Sequence, residues 1–177
     1  MNDLKCGFKA LPILFLALGP LLLCGLSACR EKTDKDLILE LMDRVGSEVE
    51  GRDTEALLAR LTDDYHDFEG RDKSGTEELL KDYFARYRGV VVHILSTRID
   101  NLEASGASIQ AEVALSSGAA QILRKLLRFS TENYRFGLTL IKYGGEWKIQ
   151  YAEWQYLRLD ELSPESMSIF KKLFPDF

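Results

Sequence analysis

Beyond residue 29 the sequence has no cysteine; the three it holds are Cys6, Cys24 and Cys29. That excludes a disulfide framework and a thiolate metal site from everything downstream. Histidine is almost as scarce. Only His66 and His93 occur, without the H-x-x-x-H spacing of a metal pair, so no metal is expected. No G-x-S-x-G, phosphate loop or dinucleotide fingerprint appears, so no cofactor is expected either. Positive charge is in deficit, with 23 Lys and Arg against 28 Asp and Glu, for a net charge of −5. Asp3, Lys5 and Lys9 give the first 28 residues +1, which leaves −6 on the rest. A nucleic-acid partner would need clustered basic residues and is not expected. The 177 residues allow one domain, and 46% hydrophobic with 29% charged residues is the balance of a soluble one.

One segment departs from that balance. After Lys5 and Lys9, residues 10–26 read ALPILFLALGPLLLCGL, with no charge. A basic start followed by an apolar run, interrupted at Gly19-Pro20 and closed by small residues, reads as an export signal rather than a permanent span. Leu26-Ser27-Ala28-Cys29 resembles the lipobox of bacterial lipoproteins. The resemblance implies a diacylglyceryl group on the Cys29 thiol, cleavage after residue 28, and acylation of the new amino group. Cys24 is a poor competitor because Leu23 precedes it. Arg30 follows Cys29 where an inner-membrane retention signal would have Asp. The resemblance therefore implies an outer-membrane anchor facing the periplasm. Two or more acyl chains suffice for stable tethering.

Residues 29–35 then form the lipidated terminus and a linker. The spacing of Leu37, Leu41, Val45 and Val49, with Ile38 and Met42 beside them, predicts a helix over 36–50 closed by Gly51. Asp53 caps a second, short helix. Residues 64–69 alternate as a short strand. Ser74-Gly75-Thr76-Glu77 reads as a capping box opening a third helix, with Leu79, Leu80, Tyr83, Phe84 and Tyr87 on its face and Gly89 after it. The period then changes to two. Strands are predicted over 90–103, 107–116, 132–143 and 146–157, the last two joined at Gly144-Gly145. Residues 121–129 break the pattern as a basic amphipathic stretch: a strand connection, a lid, or a surface lying on a membrane. Ser163-Pro164 caps a helical tail within 159–177. Helices followed by a strand meander make an α+β domain, with N-terminal helices packed on a curved antiparallel sheet over 36–158.

The L-T-D-D-Y run at 61–65, the capped third helix, the long strands and G-G-E-W-K-I at 144–149 resemble the nuclear transport factor 2-like (SnoaL-like) superfamily over residues 34–158, and within it uncharacterised proteobacterial envelope proteins. The resemblance implies a cone with a cavity between sheet and helices. Some of its members perform proton transfer and others bind partners, often as dimers through the sheet, so a homodimer is an expectation here. No catalytic residue carries over. Gly70 falls where the isomerase base should stand, and Asp67 replaces it only if the alignment slips.

Candidate pocket residues come from strand phase. Glu153 follows Trp147, Ile149 and Tyr151 on one stripe; inside the cone its carboxyl would lie in apolar surroundings, which raise a pKa. Tyr134 begins the facing stripe. His93, in phase with Val91 and Leu95, is a candidate acid or base. The expected function is non-catalytic binding or interaction by a lipid-anchored protein of the periplasm. The alternative is a small-molecule isomerase, lyase or cyclase using the cavity.

Overall fold

A computed structural model describes residues 32–87, 89–117 and 132–175. The signal, Cys29 and the basic stretch at 121–129 lie outside the described residues. The described residues form one compact unit.

Helix α1 (Asp34–Gly51) begins two residues earlier than the stripe suggests, because Thr33 and Asp36 close a capping box. It buries Ile38, Leu41 and Met42. Gly51 is still helical, and Arg52 takes the left-handed position instead, at φ 58°. Its guanidinium donates to the Phe84 carbonyl and lies 5.8 Å from that ring, contacts that offset the backbone strain. Helix α2 (Thr54–Ala59) is capped by Asp53. Strand β1 (Leu61–Asp67) follows, and then α3 (Lys73–Arg86). The cap of α3 is Asp72, accepting from the Gly75 N–H at 2.9 Å, not the Ser74 box. A carboxylate at the N-terminus also meets the positive end of the helix dipole.

Strands β2 (Val90–Leu102), β3 (Gly106–Ser117), β4 (Glu132–Tyr143) and β5 (Glu146–Leu157) form the antiparallel meander. The sheet order is β1-β5-β4-β3-β2, and β1 joins the edge parallel to β5. One face of the sheet packs on α1 and α2 around Ile109, Leu140, Trp147 and Ile149, and α3 packs against β1 and α2. The tail helix α4 (Pro164–Leu173), capped by Ser163, packs on the opposite face. There Phe170 and Leu162 meet Leu95, Ala114 and Leu157. The tail is thus part of the packed unit.

Register shifts decide which residues face the cone. In β5, Ile149 pairs with Leu140 and Tyr151 with Thr139, so Gln150 is an extra residue. Such a bulge reverses the side-chain alternation beyond it. Trp147 and Ile149 point inward before it, Ala152 and Trp154 after it. A similar shift at Leu95 leaves Leu95 and Ser96 both toward α4 and returns Ile99 to the inner face.

Candidate functional site

Between α1, α2, α3 and the inner face of the sheet lies a cavity of about 500 Å³, within the usual range for small-molecule sites. Its walls are mostly aliphatic and aromatic, including Met42, Leu80, Val113, Phe136 and Leu138. At one edge of this space Gly46 lets α1 approach β2 closely: a Cβ there would lie 3.6 Å from Val92 and Ile94. An aromatic row runs along the sheet side. Phe68 meets Trp154 edge-on at 4.8 Å, Trp154 lies 6.2 Å from Phe136, and Phe136 lies 6.1 Å from Tyr134.

The charged groups of the wall are paired. Arg60 holds Glu48 at 2.6 Å. Arg71 lies 5.4 Å from the Trp154 ring, donates to Asp67 at 2.7 Å and also pairs with Glu69. The Asp67 side chain is 1% exposed. Its other oxygen accepts the N–H groups of Glu69 and Arg71, each at 2.9 Å. Asp67 thereby accepts three hydrogen bonds and closes the turn after β1.

Three phenols and the buried Thr76 hydroxyl supply the remaining polarity. Burial pushes the Tyr65 and Tyr83 hydroxyls up. Tyr134 is pushed up to about 12, first by burial and then by the carboxylate of Glu132, which accepts its proton at 3.0 Å. Unionised phenols at neutral pH donate hydrogen bonds and offer π faces but do not act as bases.

The residues singled out from strand phase do not converge. Tyr134 lines the cavity. Asp67 lies behind its wall, locked to Arg71. Tyr151 and Glu153 fall beyond the Gln150 bulge and face the other side. Glu153 is exposed, with the Tyr151 hydroxyl 3.4 Å away and its own chain lying across Gly137. The burial expected of it inside the cone is absent. His93 also faces outward, 5.3 Å edge-on to Phe174 of the tail. His66 is exposed beside Tyr151 at 5.2 Å. Sequence reasoning did not single out Arg71. The available signal was its position four residues after Asp67.

Among the described residues no group of His, Cys, Asp or Glu could hold a metal, and no helix is long and apolar enough to cross a membrane. No family model matches the sequence, and no curated protein matches it significantly. Solved structures do match its fold. One, proposed to be a scytalone dehydratase, from Novosphingobium aromaticivorans, superposes with a TM-score of 0.60 at 17% identity, over 70% of this chain and 84% of that one. A protein of unknown function with a cystatin-like fold from Nostoc punctiforme gives 0.57 at 17%, over 72% and 95%. A nuclear transport factor 2-like protein of unknown function from Pseudomonas putida gives 0.56 at 16%, over 72% and 94%. At these identities the likeness establishes the cystatin-like, nuclear transport factor 2-like fold of the chain.

Proposed function

We propose that this protein is a lipid-anchored binding protein of the cell envelope, which holds a small, largely apolar molecule in its cone without transforming it. The observation that carries this reading is the pairing of the cavity's charges. Proton transfer needs a carboxylate or imidazole that can meet the ligand. Asp67 and Glu69 are held by Arg71, Glu48 is held by Arg60, Glu132 accepts from the Tyr134 hydroxyl, and both histidines face away from the cone. What remains is an apolar volume with phenols along it, the composition of a binding pocket.

The direct test is the protein purified from its own envelope. It should carry a small molecule, released on denaturation and identified by mass spectrometry. Ala152→Leu adds bulk to the cavity wall and should lose that molecule; Glu153→Gln, on the opposite face, should keep it. Equal retention by Ala152→Leu, or an empty cavity in the unmodified protein, would overturn the reading.

The anchor is tested separately. Cys29→Ser should abolish incorporation of labelled palmitate and leave an uncleaved or mislocalised precursor. Label on the Ser variant contradicts the lipobox assignment, and with it the proposed tether to the outer membrane. A homodimer through the sheet would have to use the strip around Tyr151 and Glu153, because α4 covers Leu95 and Ala114.

A further inference from the structure

Two hairpin turns and the start of α1 meet at one end of the sheet. The β2–β3 turn, at residues 103–105, lies beside the end of β4, where the Lys142 N–H donates to the Ser105 carbonyl at 2.9 Å. The β4–β5 turn, Gly144-Gly145, follows directly. Asp34, the first residue of α1, accepts there from the Lys142 ammonium at 2.5 Å and from the Trp147 indole at 3.1 Å. From that point α1 runs along the sheet toward its other end. There Glu50 accepts the Val92 N–H at 2.8 Å, at the start of β2.

The cavity lies away from the turns. Ile38, Leu41, Leu140 and Trp147 fill the core beside them. Along α1 the cavity lining begins at Met42, and along β4 it runs from Leu138 back to Tyr134. At about 3.4 Å per residue, Tyr134 stands about 30 Å along β4 from Tyr143. Lys32, by contrast, is three residues from Cys29, a reach of at most about 11 Å. An anchor at Cys29 therefore fastens the chain at the end that carries the turns. That end also exposes apolar groups. Tyr143 is 71% exposed, and Leu102 at the end of β2 is 42% exposed. A phenol, with an apolar body and a polar tip, suits the boundary between lipid headgroups and acyl chains.

We infer that the hairpin end of the cone rests on the bilayer, with Tyr143 and Leu102 touching the lipid interface and the cavity held away from it. This rests on the lipid anchor proposed above and adds the orientation of the domain on its membrane. The far end exposes apolar groups as well, Tyr87 and Tyr156 among them. With that end on the lipid, however, the start of α1 would stand about 25 Å above it, the length of the helix at about 1.5 Å per residue. Residues 29–32 are too few to span that distance. The short tether thus selects the hairpin end, and a ligand enters the cavity from the aqueous side rather than directly from the bilayer.

The test uses the full lipidated chain on vesicles of phosphatidylethanolamine and phosphatidylglycerol that carry a nitroxide-labelled lipid. The lipid blocks the Cys29 thiol, and no cysteine follows it, so a single introduced cysteine takes up a fluorophore specifically. Ala104→Cys and Glu146→Cys place the fluorophore on exposed positions at the two turns. Ala85→Cys places it at the far end, beside the Phe84 carbonyl that Arg52 holds. The nitroxide should remove most of the fluorescence at the two turns and leave that at residue 85 unchanged. Replacing both Leu102→Ser and Tyr143→Ser should abolish most of this quenching while the protein still floats with the vesicles and keeps its circular dichroism. Quenching at residue 85 alone, equal quenching at all three positions, or none in protein that floats overturns the orientation and leaves the anchor standing. Quenching that survives the double replacement overturns the contact assigned to Leu102 and Tyr143. Protein that does not float with the vesicles overturns the anchor and the orientation together.

Discussion

Replacing Trp147 by alanine should lower stability by about 3–5 kcal/mol, the usual loss for a buried large aromatic. Trp147 is 5% exposed and belongs to the inner cluster with Leu140 and Ile149. It also ties the sheet to the start of the first helix. Its indole N–H donates to Asp34 at 3.1 Å, Lys142 meets the same carboxylate at 2.5 Å, and the Lys142 ammonium lies 5.7 Å from the ring. Truncation removes the packing and opens a void that a sheet-bound strand cannot close. Trp147→Phe separates the two contributions. It keeps most of the apolar contact and loses one hydrogen bond to a carboxylate that retains Lys142, so it should cost about 1–2 kcal/mol. Urea denaturation of both variants measures the difference. At about 2–4 °C per kcal/mol, the alanine variant should melt roughly 6–20 °C lower. An alanine variant as stable as the parent would mean that the indole is solvated and the inward phase of β5 is wrong at its first turn.

That phase also shows where the sequence stopped being legible. Trp147, Ile149, Tyr151 and Glu153 look like one uninterrupted alternation, and the first two members do face the core. The bulge at Gln150 then moves every later residue to the other face. Nothing in a period-two pattern announces an extra residue. The trace it leaves is a change of parity between apolar pairs, from Trp147 and Ile149 to Ala152 and Trp154. β4 has no such interruption between Tyr134 and Leu138, and there the inward stripe reads correctly. The helices were legible for the same reason: i, i+4 spacing survives packing, and only their ends moved, to the stronger caps at Thr33 and Asp72. The site was less legible. A cavity is made by what three helices and a sheet leave unfilled, and its charges are set by pairings such as Arg71 with Asp67 that cross a turn.

Glu112 offers the second large effect, on the face of the sheet away from the cone. It lies between Ala111 and Val113 on β3, both of which pack inward, so its side chain points toward the tail. It is 5% exposed. One carboxylate oxygen accepts from Arg135 at 2.7 and 3.1 Å, and the other accepts the Ser163 N–H at 2.9 Å, at the cap of α4. Burial alone would raise its pKa. The hydrogen bonds from Ser166, Arg135 and Ser163 outweigh burial, and the pKa is lowered. A carboxylate with a depressed folded pKa contributes its stability above the unfolded value, near 4.5, and loses it as pH falls through the folded value. Glu112→Ala strands a partly buried guanidinium and an N–H at the helix cap, and should cost about 3–5 kcal/mol. Glu112→Gln keeps the shape and one acceptor and should cost roughly 1–3 kcal/mol. It should also flatten the acid limb of the stability curve, because its side chain no longer titrates. Hydrogen exchange then distinguishes local from global loss. The amides of Met167 and Phe170 should exchange faster in both variants, while those of β4 and β5 change less, because the carboxylate fastens α4 to the sheet and the inner core does not depend on it. Unchanged exchange in α4, or an acid limb as steep as the parent's, would mean that apolar contacts around Phe170 hold the tail without Glu112.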